Sequence, residues 1–137
     1  MTQRVWISFV EAQQTGHLPV RIIETCSFRK DASRVLSDEE LIELQVHIAT
    51  NPKAGAVIPG TDGVRKLRYP LKSRGKGKQG GARVIYYYED EDLPIFLLAF
   101  YTKGEKANLS MAERNLVKKS VGEIVAEYKR QRLRLVV

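Results

Sequence analysis

The chain has 137 residues, 28% of them charged, a single cysteine and a formal net charge of +7. That length suits one domain able to bury a core without a staple, and the lone Cys26 excludes an internal disulfide and a multi-cysteine metal site. No apolar run reaches the roughly 18 residues of a membrane span or forms a signal peptide, so a soluble, cytoplasmic protein is expected.

Residues 1–19, with Trp6 and Phe9, match no element that the pattern defines and stand as an N-terminal extension. Val20–Phe28 is rich in β-branched and apolar residues and predicts a strand, with Cys26 inside it as a small buried hydrophobe. Arg29–Leu36 predicts a short helix. Ser37 then opens a second one as N-cap of a capping box with Glu40, carrying Leu41, Leu44 and Ile48 at helical spacing until Asn51-Pro52 ends it. His47 sits among apolar neighbours, which predicts a partly buried packing role.

A Gly/Pro loop leads to the strand Val64–Pro70, which Pro70 places near a sheet edge or at a strand end. Here the charge becomes informative. Eight of the 23 basic residues lie between Val64 and Arg83 with no Asp or Glu among them, which leaves 15 basic against 16 acidic residues elsewhere. A patch this concentrated implies a polyanionic partner, with nucleic acid the first candidate and an acidic protein the second. No basic amphipathic anchor accompanies it, so a membrane partner is not expected.

Lys72–Gly81 reads as a glycine-punctuated hairpin loop, Ala82–Tyr88 as its second strand, Glu89–Asp92 as a turn, and Pro94–Thr102 as a strand apolar on both faces, suited to the sheet centre. Ser110 and Glu113 form another capping box. Val117, Val121, Ile124, Val125 and Tyr128 continue as the apolar stripe of a C-terminal helix. The expected fold is α+β, order β-α-α-β-β-β-α: a small antiparallel twisted sheet of about four strands. Two N-terminal helices and a C-terminal helix pack on it, all on one face.

Alternation decides which charges meet. Lys66 and Arg68 share one face of their strand, and Arg83, Ile85 and Tyr87 share one face of the next. Hairpin closure brings Lys66, Arg68 and Arg83 side by side, with Lys103 and Lys106 approaching from the neighbouring strand end. Lysines in a glycine-rich loop are usually only solvated, and strand tyrosines usually pack. Arg83 is different, because it interrupts an apolar strand where an unpaired cation is costly to hold. "GKGK" lacks the spacing and the strand–loop–helix context of a phosphate-binding P-loop, and His17 and His47 are remote from the basic cluster in sequence. No metal site or cofactor is expected.

"LSDEEL", "NPKAGAVIPGTDGVRKLR", "GKGKQGGARVIYYY" and "LLAFYTKGEKANLS", in this order and spacing, resemble the RelE/ParE superfamily of type II toxins, in particular its HigB-like branch. The resemblance is close over about residues 20–110 and loose over the last helix. It implies a single RelE-like toxin domain over residues 20–132, after the extension 1–19 and before a tail 133–137. It also implies a ribosome-dependent mRNA endoribonuclease that cleaves in the A site by metal-independent transphosphorylation through the 2′-OH. The implied partners are the ribosome and mRNA, and a cognate antitoxin of DNA-binding type through which alone the complex meets operator DNA.

Carried over by position, the catalytic set is Arg83, Lys66, Arg68, Lys103, Lys106 and Tyr101. Arg65, Lys72, Arg74, Lys76, Lys78 and Tyr87 fall to RNA or ribosome binding. Gly104 stands where some relatives place an arginine, and Ser110 lies near where some place a tyrosine; Tyr101 is the candidate for that role. Two other readings stay open: a ParE-like toxin acting on DNA gyrase, and a simple RNA-binding module.

Overall fold

A strand with apolar side chains on both faces has to be covered twice, and Ile95–Thr102 is such a strand. In the computed structural model it lies inside a six-stranded sheet with helices on both sides. The structure describes residues 5–11, 19–71, 81–104 and 108–136, with side chains from 20 to 131 of these. In chain order the elements are β1 (Val5–Glu11), β2 (Pro19–Thr25), α1 (Cys26–Ser33), α2 (Asp38–Thr50) and β3 (Ala56–Val57). They continue with β4 (Val64–Tyr69), β5 (Ala82–Tyr87), β6 (Ile95–Thr102) and α3 (Met111–Val136).

The strand order is β1-β2-β6-β5-β4-β3. All neighbours are antiparallel except β2 and β6, which run parallel with Ile23 opposite Phe96. The α+β class holds, with three differences from the sequence expectation. The sheet gains β1, which lies within the presumed extension and pairs along β2 from Val5↔Thr25 to Glu11↔Pro19, and the two-residue edge strand β3. One strand pair is parallel. The helices do not share a face: α1 and α2 cover one side and α3 the other, because the alternating residues of β5 and β6 are apolar in both directions.

The first layer buries Phe28, Leu44, Ile48, Val84, Tyr86, Leu97 and Phe100 between α1–α2 and the sheet. The second buries Ile85, Phe96, Leu98, Tyr101 and Val121, with Val117, Ile124, Val125 and Tyr128 of α3 packed against them. Each fully buried large apolar side chain stabilises the fold by about 1.5–3 kcal/mol before entropy is counted. Tyr128 anchors the helix at its far end, with Phe96 edge-on at 6.1 Å and the Arg21 guanidinium over its ring at 5.3 Å.

Both expected capping boxes form. Ser37 and Glu40 exchange bonds of 3.0 and 3.1 Å at the start of α2, and Ser110 and Glu113 exchange bonds of 2.9 and 3.1 Å at the start of α3. The first strand ends earlier than expected. Thr25 caps α1 by accepting from the Phe28 N–H at 3.1 Å, while its own hydroxyl donates to the Leu98 carbonyl at 3.0 Å. That cap turns Phe28 into the core and leaves Cys26 exposed on the first turn, contrary to the expectation of a buried strand cysteine. His47 is exposed as well, tilted against Tyr69 at 5.9 Å.

One acid lies in the first layer. Glu24 is 0% exposed, and its Oε1 accepts from Arg29 Nη1 at 2.9 Å. Burial pushes its carboxyl above the usual range, against the opposing pull of Arg29 and Gln45. A carboxyl whose pKa is raised on folding favours the native state most fully below its unfolded value, about 4.3, and that contribution is lost as pH rises through the native value. Glu24→Gln is therefore expected to raise the melting temperature at pH 7.5 and to help much less at pH 5. Thermal unfolding of both proteins at the two pH values checks this; a variant less stable at both would show that the Arg29 pair outweighs the desolvation.

Candidate active site

The register of β4, β5 and β6 assembles a row across the sheet. Arg68 lies opposite Arg83, and Arg83 lies opposite Tyr101. Lys66, two residues from Arg68 on β4, lies opposite Ile85 and so points to the same face. This is the α3 side of the sheet, at the end where β6 runs out into the connection to α3. Sequence alternation thus brought Lys66, Arg68 and Arg83 together correctly, and the register adds Tyr101, which the family resemblance alone suggests.

Arg83 is only 9% exposed, and its Nη1 donates to the carbonyl of Ala82 at 3.2 Å. Among the described residues no carboxylate forms a salt bridge with Arg83, Arg68 or Lys66. A buried guanidinium without a counter-ion is expensive to maintain, so its retention in an apolar strand points to an anionic ligand. Lys66 Nζ donates to Asn108 Oδ1 at 2.8 Å. Its ammonium lies below the ordinary lysine range, first through desolvation and then through repulsion by Arg68, Arg83 and Arg114. Tyr101 is buried at 3% exposure beside this group.

The other candidate residues separate from this centre. The Lys103 side chain is exposed just past the end of β6, where its backbone N–H bonds Gly81 at 3.1 Å and ties that end to the start of β5. Arg65 points to the opposite face from Lys66, and its Nη1 donates to the carbonyls of Lys53 and Gly55 at 3.3 and 2.7 Å, so its guanidinium fastens the loop before β3. The same loop is pinned by Tyr86, whose hydroxyl accepts from the Gly55 N–H at 2.9 Å and donates to the Pro52 carbonyl at 2.7 Å. A Cβ on residue 55 would come within 2.9 Å of that ring, so the close approach requires glycine.

Tyr87 lies at the other end of β5. It packs at 6.5 Å from Phe96 and donates to Glu89 at 3.2 Å. Lys72, Arg74, Lys76, Lys78 and Lys106 lie outside the described residues.

A family model described as the RelE toxin of the RelE / RelB toxin-antitoxin system matches residues 20–137. The chain belongs to the RelE toxin family. Membership makes it a toxin of a toxin–antitoxin system and implies a cognate antitoxin as partner. No helix among the described residues is long and apolar enough to cross a membrane. The match begins at β2, so β1 is an addition ahead of the matched RelE region.

Two residues that interact with Lys66 are absent from the sequence-predicted set, Asn108 and Arg114. Strand alternation stops at Thr102, and neither the connection after it nor the first turn of a helix has a period that projects onto the sheet. The only available signal was the capping box at Ser110 and Glu113, which fixes where the helix starts and hence that Arg114 is in its first turn.

Because Arg83 meets no carboxylate among the described residues, its charge is expected to cost the free protein stability. Arg83→Met is expected to leave the melting temperature unchanged or to raise it by the equivalent of up to ~2 kcal/mol, while weakening retention on a polyanionic column. A marked loss of stability on thermal unfolding would assign Arg83 a structural role instead.

Proposed function

We propose that this chain is a HigB-like member of the RelE family and a ribosome-dependent endoribonuclease that cleaves mRNA in the A site. The observation that carries this reading is the buried guanidinium of Arg83, with no carboxylate partner among the described residues, on the same sheet face as Lys66, whose titration is lowered by burial and by its cationic neighbours. That pairing suits transphosphorylation: one group for the charge that develops on phosphorus and one for the proton that must leave the 2′-OH.

In the reaction, neutral Lys66 takes the 2′-hydroxyl proton as the 2′-oxygen attacks the adjacent phosphorus. Arg83, with Arg68 beside it in the row, donates to the non-bridging oxygens as the pentavalent phosphorane forms. The bond from phosphorus to the 5′-oxygen breaks, and Lys103 or Tyr101 delivers a proton to the leaving oxygen. The products are a 2′,3′-cyclic phosphate and a 5′-hydroxyl, and no metal enters the step. A free lysine titrates near pH 10.4, and burial together with three neighbouring guanidiniums lowers Lys66 from there, in the direction that a general base requires. The ribosome supplies orientation, holding the 2′-oxygen in line with the scissile bond.

The basic residues of the hairpin loop, Arg74, Lys76 and Lys78, with Lys72, then serve ribosomal RNA phosphates through salt-sensitive contacts. The antitoxin is a DNA-binding protein that links the complex to its operator, and the toxin acts in the cytoplasm.

Primer extension on a defined mRNA in a purified translation system tests the reading. New ends are expected within codons only when ribosomes are present. They should fall by about 100-fold or more with Arg83→Ala and change only a few-fold with Lys76→Ala. Intact mRNA with wild-type, folded protein would overturn the nuclease reading and direct attention to DNA gyrase or to RNA binding without cleavage.

A further inference from the structure

The junction between β6 and α3 brings two polar side chains to the centre that the mechanism above leaves without a role. Asn108 reaches back 42 residues along the chain to accept the Lys66 Nζ hydrogen bond at 2.8 Å. Arg114, one turn into α3, buries its Nε with no hydrogen-bond partner among the described residues, and no carboxylate among them pairs with it. The start of α3 is held firmly: the Ser110–Glu113 capping box closes it, the Arg114 N–H bonds the Ser110 carbonyl at 2.9 Å, and Leu109 is buried in the second layer. Arg114 therefore stands on a fixed first turn of α3, and Asn108 lies two residues before its N-cap.

We infer that Asn108 and Arg114 complete the phosphodiester site, Asn108 as the positioning residue of Lys66 and Arg114 as a phosphate-binding guanidinium that acts with Arg83. The inference rests on the nuclease reading for the name of the reaction, though not for the phosphate chemistry itself.

An amide oxygen suits this place because it directs without charging. The Asn108 carbonyl accepts one N–H of Lys66 whether the lysine is protonated or neutral, and so leaves the lone pair of the neutral amine aimed elsewhere. A carboxylate there would hold the ammonium protonated and defeat its use as a base. The groups that set the charge state of Lys66 are Arg68 on its own strand, Arg83 on β5 and Arg114 on α3, all cationic, with Tyr101 of β6 in the row of Arg83. Arg114 meets the complementary need. A buried donor that nothing in the described protein satisfies calls for an acceptor, and a phosphate oxygen fits a guanidinium that already stands within electrostatic range of Lys66.

The test uses full-length wild type, Asn108→Asp, Arg114→Gln and Arg114→Lys, each with folding confirmed by circular dichroism; Asn108 is exposed, so its exchange is structurally mild. Three readings are taken. Single-turnover cleavage on purified ribosomes is followed from pH 6 to 10. Binding of a 2′-deoxy oligonucleotide, which cannot be cleaved, is followed against salt on the free protein. Lys66 is titrated by NMR.

Asn108→Asp is expected to slow cleavage at pH 7 by about tenfold or more, to recover at higher pH, and to raise the Lys66 titration. Arg114→Gln is expected to weaken oligonucleotide binding about tenfold and to reduce its log–log salt slope by about one, whereas Arg114→Lys keeps the slope and loses affinity. An unmoved pH limb and Lys66 titration in Asn108→Asp, or an unmoved salt slope in Arg114→Gln, overturns the corresponding half of the proposal. If wild type cleaves nothing, the nuclease reading fails while the binding and titration arms still decide whether Asn108 and Arg114 belong to the anion site.

Discussion

Strand β6 sets the terms for the rest of the molecule. Its side chains are apolar in both directions, so a single helical layer cannot satisfy it. The α1–α2 pair covers one face, and the chain has to return after β6 to cover the other with α3. That return brings Asn108 and the first turn of α3 to the end of the sheet where Arg83 and Lys66 lie. Covering the core and completing the basic centre are thus one geometric event, which is why residues 42 and 48 positions along from Lys66 can act on it.

The protein treats its arginines in two ways. Arg65 and Arg29 fasten local structure, the first through Nη1 to the carbonyls of Lys53 and Gly55 and the second through Glu24. Arg83 is the more deeply buried, Arg114 buries its Nε, and neither meets a carboxylate among the described residues. The difference does not come from a shortage of acids, since the chain has 16. For Arg83 it lies in their placement along the chain, with none between Val64 and Arg83. The positive charge is thereby gathered in one stretch of the chain, while the remainder of its charge nearly cancels.

Much of this was legible in the sequence. Two-residue alternation placed Lys66, Arg68 and Arg83 on one face, and the stripe from Val117 to Tyr128 gave the packed side of α3. Each signal is periodic and local, so it survives without knowledge of the fold. The misses lack a period. The helix begins at Cys26 because a threonine cap meets a carbonyl of β6, 73 residues away, which no local propensity encodes. The layer chosen by α3 depends on which side of the sheet is still uncovered when the chain returns, and β1 became a strand because β2 offered it a free edge. Asn108 and Arg114 belong to the same group, since only the three-dimensional return path brings them to Lys66.

The position of Arg83 also bears on how the sheet finds its alignment. Its neighbours Ala82 and Val84 face the layer of α1 and α2, among Leu44, Ile48 and Phe100. A slip of one residue in β5 would exchange the two faces and drive the guanidinium into that hydrocarbon layer while turning Val84 outward. Few errors in a strand of this size would be penalised so heavily, because an apolar-for-apolar exchange at the same place would cost little. The charge therefore acts during folding as a marker that admits one pairing with β4 and β6 and rejects its nearest competitor.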